Sequence, residues 1–345
     1  MKKWLSLIAV AALSVGLLAG CGSSDSKNES ASKDSGKLVV YTPNSESIIN
    51  TIIPLFEKET GITVELISAG TGELMKRVQS EKSNPYADVM FGGGYSLYME
   101  NADLFENYVS PNDQYLLEGH RNTSGFATPY ISDGSVLLVN TNLIGDIKIE
   151  SYADLLNPAL KGKIASADPA SSSSAFAQLT NMLKAMGGDY TSDAGWNYVG
   201  ELVKNLDGKI ASGSSAVHKS VADGEYVVAL TYEDPSASYV KSGAPVKIVY
   251  PTEGAVFLDA VSGIVKGTKN LDNAKKFIDF ILFKEAQDAF GLELTNRPLR
   301  TDAQLGSHMK PMTEIKLLDE DKDYVRANKA SIVEKYIDVF TTVSK

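Results

Sequence analysis

Residues 37–94 read KLVVYTPNSESIINTIIPLFEKETGITVELISAGTGELMKRVQSEKSNPYADVMFGGG, and this stretch decides the fold class. Leu38, Val39, Val40 and Tyr41 form a short apolar run that stops at Thr42-Pro43-Asn44, the pattern of a buried strand meeting a turn. Ser45 or Ser47 then caps a helix whose apolar side is Ile48, Ile49, Ile52, Ile53, Leu55 and Phe56, and Gly61 ends it. A second strand over 63–67 leads through Gly70-Thr71-Gly72 into a helix bearing Leu74, Met75 and Val78. A third strand over 87–91 runs into Gly92-Gly93-Gly94. Strand, loop and helix in alternation predict α/β layering around a largely parallel sheet.

The same grammar continues outward from that stretch. Residues 136–139, 163–167, 226–232, 246–250 and 261–265 read as strands. The serines at 171–174 introduce a helix with Phe176, Leu179, Met182 and Leu183, and 196–203 suggests another. Ala274, Phe277, Ile278 and Ile281 recur at helical spacing, and 324–340 forms a last amphipathic helix. No repeat period and no long structureless linker appears. A length of 345 residues without a linker predicts two α/β lobes joined by short crossovers.

Composition narrows the function classes. Hydrophobic residues at 43% and charged residues at 22% exclude wholesale disorder and a polytopic membrane protein. A formal charge of −10 argues against general nucleic-acid binding, which needs basic stripes against phosphates. A single cysteine excludes an internal disulfide framework, a Cys-based zinc site and an iron–sulfur cluster. That cysteine, Cys21, closes a leader with Lys2 and Lys3, an apolar run from Leu5 to Leu13, and small residues before a cleavage point. Residues 1–20 therefore read as a signal peptide. Leu18-Ala19-Gly20-Cys21 resembles a bacterial lipobox, whose cysteine becomes the lipid-modified first residue. Residues 21–36, rich in Ser, Asp and Lys, read as a flexible tether.

No enzyme signature stands out, and no cofactor is expected. His120, His218 and His308 are widely spaced, and no nucleophile elbow, Walker or Rossmann glycine spacing occurs. What recurs is small hydroxyl and glycine residues at strand-to-helix turns: 42–45, 69–72, 171–174 and 212–215. Such turns present backbone N–H groups and hydroxyls at helix N-termini, where the dipole favours an anion. In open α/β sheets these strand ends border the ligand crevice. Ordinary N-capping uses the same residues; four such turns in one chain favour an anion site. Thr71, Ser172 and Ser173, with their neighbours Ser45, Gly70, Gly93, Ser171 and Ser214, are the candidates to hold an anionic head. Asn44, His218, Glu233 and Asp234 are the candidates to read the rest of the solute. Tyr130, Tyr250 and Glu253 fall near lobe crossovers, and the acidic run Asp319, Glu320, Asp321 and Asp323 reads as solvated surface.

Longer stretches carry a resemblance. LVVYTPNSE (38–46), residues 56–93, YADLLNPALKGKIASADPASSSSAF (152–176), residues 221–254 and NLDNAKKFIDFILFKEAQ (270–287) are similar to ABC-transporter solute-binding lipoproteins. The branch is the one whose members take ferric iron, thiamine, phosphonates and sugar phosphates on a periplasmic-binding-protein type 2 fold. The resemblance implies two lobes, 37–130 with 254–345 and 131–253, closing on a ligand cleft. It implies a monomer, tethered by lipid outside the cytoplasm, that passes a small solute to a membrane ABC permease. Iron-binding members carry adjacent tyrosines late in the chain, and this sequence has no Tyr-Tyr pair. The Ala-Gly-Thr-Gly-Glu turn and the serines at 171–174 are similar to the phosphonate and sugar-phosphate members. The expected solute is thus a small phosphate- or phosphonate-bearing organic anion. The alternatives are ferric iron, thiamine or thiamine phosphate and, from a different class, a secreted lipoprotein enzyme processing phosphoesters.

Overall fold

The computed structural model describes residues 36–211 and 213–343; the leader, Cys21, nearly all of the tether and Ser212 lie outside the described residues. The chain begins with the expected alternation, β1 (Lys37–Thr42), α1 (Glu46–Thr60), β2 (Thr63–Ser68) and α2 (Thr71–Ser80), followed by β3 (Val89–Gly94) and a short α3 (Tyr95–Glu100). Then come β4 (Thr128–Asn140), β5 (Ile164–Ala165), α4 (Ser173–Gly187), α5 (Asp193–Leu206) and α6 (Ser214–Ala222). They are followed by β6 (Val228–Tyr232), α7 (Glu233–Lys241), β7 (Val246–Val249), β8 (Phe257–Ile264) and α8 (Leu271–Phe280). A short α9 (Lys284–Asp288), β9 (Arg297–Pro298) and α10 (Lys322–Val343) close the described chain.

β1 pairs in parallel with β2 and β3, as strand–helix crossovers require. The join between the halves is β4. Its residues Thr128 to Gly134 run antiparallel to β8, with Ile131 and Ser132 also meeting β9, whereas Ser135 to Asn140 run antiparallel to β6 and β7. β5 then pairs in parallel with β6. The sheet therefore runs β2-β1-β3-β8-β4-β6-β5, and each half buries its own cores.

Why these runs are apolar throughout follows from the pleat. Leu38 and Val40 enter one core with Ile52, Phe56 and Phe277, while Val39 and Tyr41 enter another with Met90 and Val261. Leu137 and Val139 likewise face Leu179 and Val199, whereas Leu138 faces Val217 and Ala229. A strand covered on both faces must be apolar at every position rather than at every second one.

Four features depart from the sequence reading. The sheet is mixed rather than largely parallel, because β4 and β8 run antiparallel to all of their neighbours. β3 absorbs the glycine run, with Gly92 and Gly93 at φ of 112° and 109°. A Cβ at Gly92 would lie 2.8 Å from the Asn44 side chain, and one at Gly93 would lie 2.9 Å from Thr71 Cγ2. α7 forms in a stretch to which the sequence reading gave no element; Pro235 falls in its first turn, where a missing N–H breaks no helical bond. Residues 254–345 were expected to stay with the first lobe, but α10 buries Val325, Ile332 and Tyr336 in the core of the second. An amphipathic stripe shows that a face is buried and not against what. Among the described residues no helix is long and apolar enough to cross a membrane.

Candidate ligand-binding site

The serine turns converge. Ser171 to Ser174, Gly213, Ser214 and Tyr232 wall one cavity of about 390 Å³. Ser172 is the N-cap of α4, its Oγ accepting from the N–H of Ala175 at 3.3 Å and lying 3.1 Å from Ser174 Oγ. α6 starts at Ser214 behind Gly213, with no side-chain cap, so its first-turn N–H groups are left for another acceptor. Two helix N-termini thus border one space, lined by hydroxyls and by Tyr232, whose phenol bonds Ser214. Burial, then Asp133 and Asp234, push that phenol up to about 12, so it stays a neutral donor.

His218 lies one turn into α6, buried, with its ring at 6.0 Å from both Tyr232 and Tyr239. Its Nδ1 has no hydrogen-bond partner among the described residues, and burial lowers its pKa, which favours the neutral imidazole.

On the facing half, Gly70 opens α2 without a side-chain cap, and half-buried Thr71 presses its methyl toward Gly93. The following residue, Gly72, and Gly94 border a second cavity of about 500 Å³, whose other wall includes Ser173. Both halves therefore meet one cleft at their helix N-termini. That cleft has a wall the sequence reading did not assign: Lys322, Arg326 and Lys329 from α10. Their i, i+4, i+7 spacing places them on one helix face and was legible in the sequence.

Other expected residues are occupied internally. Asn44 donates through Nδ2 to the Phe91 carbonyl at 3.1 Å and accepts from the Tyr130 hydroxyl at 2.9 Å. Ser45 is exposed, 2.8 Å from Ser47 across their hydroxyls. Glu233 is 1% exposed and takes two bonds from Arg297, at 2.5 and 2.8 Å, plus one from Tyr250. Asp234 accepts from Thr295 at 2.6 Å. Glu253 accepts from the N–H groups of Tyr152 and Ala153, both at 3.0 Å. Burial, then the charges of Asp234 and Glu233, holds the Asp133 carboxyl well above its usual range, although it accepts the N–H groups of both residues. Among the described residues no three His, Cys, Asp or Glu side chains gather in metal-binding geometry. Asn44→Ala should lower unfolding free energy by about 1–3 kcal/mol, because the buried Tyr130 hydroxyl loses its acceptor, and a urea titration reads the loss.

Residues 38–291 match the family model described as bacterial extracellular solute-binding protein. The chain belongs to that family. An uncharacterised protein of Haemophilus influenzae is 30% identical to the solute-binding protein over 294 residues, covering 82% of this chain and 81% of its own. A Salmonella typhimurium periplasmic protein named for 2-aminoethylphosphonate binding is 28% identical over 253 residues, 72% of each chain. The solved periplasmic binding protein AfuA from Actinobacillus pleuropneumoniae, with exogenous fructose-6-phosphate bound, aligns at a TM-score of 0.73 and 26% identity. That alignment covers 88% of the solute-binding protein and 98% of AfuA. The solute-binding protein has the two-lobe type 2 architecture of these relatives and is the extracytoplasmic receptor component of an ABC importer. Proteins of this family deliver small solutes to a permease rather than transform them.

Proposed function

We propose that the receptor captures a small organic phosphate or phosphonate between its lobes. The observation that carries this reading is the cavity where the N-termini of α4 and α6 meet under serine hydroxyls and Tyr232. Each N-terminus carries about half a positive charge and free N–H donors, enough to hold an anion with few cations. Lys322, Arg326 and Lys329 on α10 border the adjoining cleft with Ser173, across from Glu100, Asp259 and Glu320, so the cleft offers cations as well as acceptors. Likeness to a fructose-6-phosphate complex and to a protein named for 2-aminoethylphosphonate supports the same solute class. The backbone N–H groups and hydroxyls at Ser172, Ser173 and Ser214 hold the head, with Gly70, Thr71 and Gly93 shaping the opposite lip. His218 stands behind the pocket as a neutral donor or acceptor.

The rest of the assembly follows from this reading. The chain is a monomer, its lipid on Cys21 holds it at the membrane surface, and hinge closure about β4 and β8 presents the loaded form to the permease. Closure requires only that the solute bind the closed form better than the open one. Isothermal titration with fructose 6-phosphate, 2-aminoethylphosphonate and ferric citrate tests the solute class. One of the first two should bind with a dissociation constant of about 1 μM or below, near −8 kcal/mol. Binding of ferric citrate with a phenolate charge-transfer band, and no response to either phosphorus compound, would overturn it.

A further inference from the structure

Asp259 is the one charged residue of β8, directly opposite Ser132 of β4. It is 7% exposed. One carboxylate oxygen, Oδ1, accepts from Ser132 Oγ at 2.7 Å and lies 2.8 Å from His120 Nδ1. The other, Oδ2, makes no hydrogen bond among the described residues. Asp259 nevertheless borders two cavities at once: the 500 Å³ cleft shared by Gly72, Gly94 and Ser173, and an adjoining one of about 650 Å³. The cation that lines both, Lys322, lays its ammonium over the Tyr95 ring, 5.3 Å from the centroid. Glu320 lines both cavities as well; burial raises its pKa, and the charge of Lys322, then a hydrogen bond with Thr180, offsets part of that rise.

We propose that Asp259 is a specificity-determining residue that reads a hydrogen-bond donor, ammonium or hydroxyl, on the solute; this rests on the anion-capture reading above. A carboxylate can only accept, and His120 with Ser132 satisfies one oxygen and fixes the orientation of the other. Because Asp259 lies on the cavity wall, a bound solute displaces water from its free oxygen; a solute that supplies a donor restores that bond, and one that supplies a methyl leaves the acceptor desolvated and unpaired. A second anionic group in that position is repelled. The cleft therefore sorts its solute by polarity. The negative head goes to the serine cavity at Ser173, which also borders the cleft, and the donor end goes to Asp259.

Three phosphonates of matched size separate the outcomes: 2-aminoethylphosphonate, 2-hydroxyethylphosphonate and propylphosphonate, titrated calorimetrically into the mature protein. The wild type should bind at least one donor-bearing compound about 10- to 100-fold tighter than propylphosphonate, and the preferred one names the donor. Asp259→Asn should bring that ratio to within about threefold while propylphosphonate binds as well as before or better. Equal binding of all three by the wild type overturns the proposal without any variant. A ratio preserved in Asp259→Asn overturns the role of Asp259 and leaves anion capture standing. Failure of the wild type to bind any of the three or fructose 6-phosphate overturns both.

Discussion

Ser173→Asp should abolish phosphate or phosphonate binding while leaving the protein as stable as before, or more so. Ser173 is exposed at the first position of α4 and borders both the 390 Å³ serine cavity and the 500 Å³ cleft. A carboxylate there meets the positive end of the helix, worth about 0.3–1 kcal/mol to the folded state. The same carboxylate occupies the position that the anionic head needs. Two unit charges about 4 Å apart at an effective dielectric of about 20 repel by about 4 kcal/mol, which is roughly a thousandfold in affinity. Stability and binding thus move in opposite directions, which no unfolding artefact reproduces. Ser173→Asn, neutral and of similar size, should bind within about tenfold of wild type. Calorimetry with fructose 6-phosphate and a thermal melt on the same samples read both quantities. Unchanged affinity in Ser173→Asp would remove the α4 N-terminus from the site.

The alternation that made the fold legible is carried by local pattern. Leu38 to Tyr41, Ile48 to Phe56 and the turn at Gly70-Thr71-Gly72 each declare their structure within ten residues, and the strands and helices of the first half fall where those patterns end. The serine turns were legible for the same reason, since capping chemistry is local. Long-range pairings were not. Nothing near Glu233 indicates that Arg297, 64 residues on, will close over it, and nothing near Asn44 indicates the Phe91 carbonyl or the Tyr130 hydroxyl. The cations of α10 occupy a readable face, yet that face could have met solvent as well as the cleft. Asp259 had a usable signal, an acid inside an apolar strand. Such a residue is buried only with partners or for a purpose.

Glu233→Ala should cost the fold about 3–5 kcal/mol and leave solute affinity within about threefold of wild type. Glu233 and Arg297 are each 1% exposed at the side chain, joined by two hydrogen bonds, and the Arg297 guanidinium also donates to the Lys310 carbonyl at 2.7 Å. Removing the carboxylate strands a buried guanidinium, and the cost of that unpaired charge exceeds the net worth of the pair. Glu233→Ala with Arg297→Met together should therefore recover most of the loss, since neither charge then remains to be desolvated alone. The pair's position adds a second reason for the size of the effect. Glu233 starts α7 in the second half, whereas Arg297 lies on β9, which pairs with Ile131 and Ser132 of β4 beside β8. The ion pair thus ties the second half to the segment about which closure is proposed. Guanidinium titration of the three proteins, with calorimetry on those that fold, separates the roles. Undiminished stability with a more than tenfold loss of affinity would return Glu233 to the ligand. A large loss of stability that the double variant repairs, with affinity held, assigns it to the pivot.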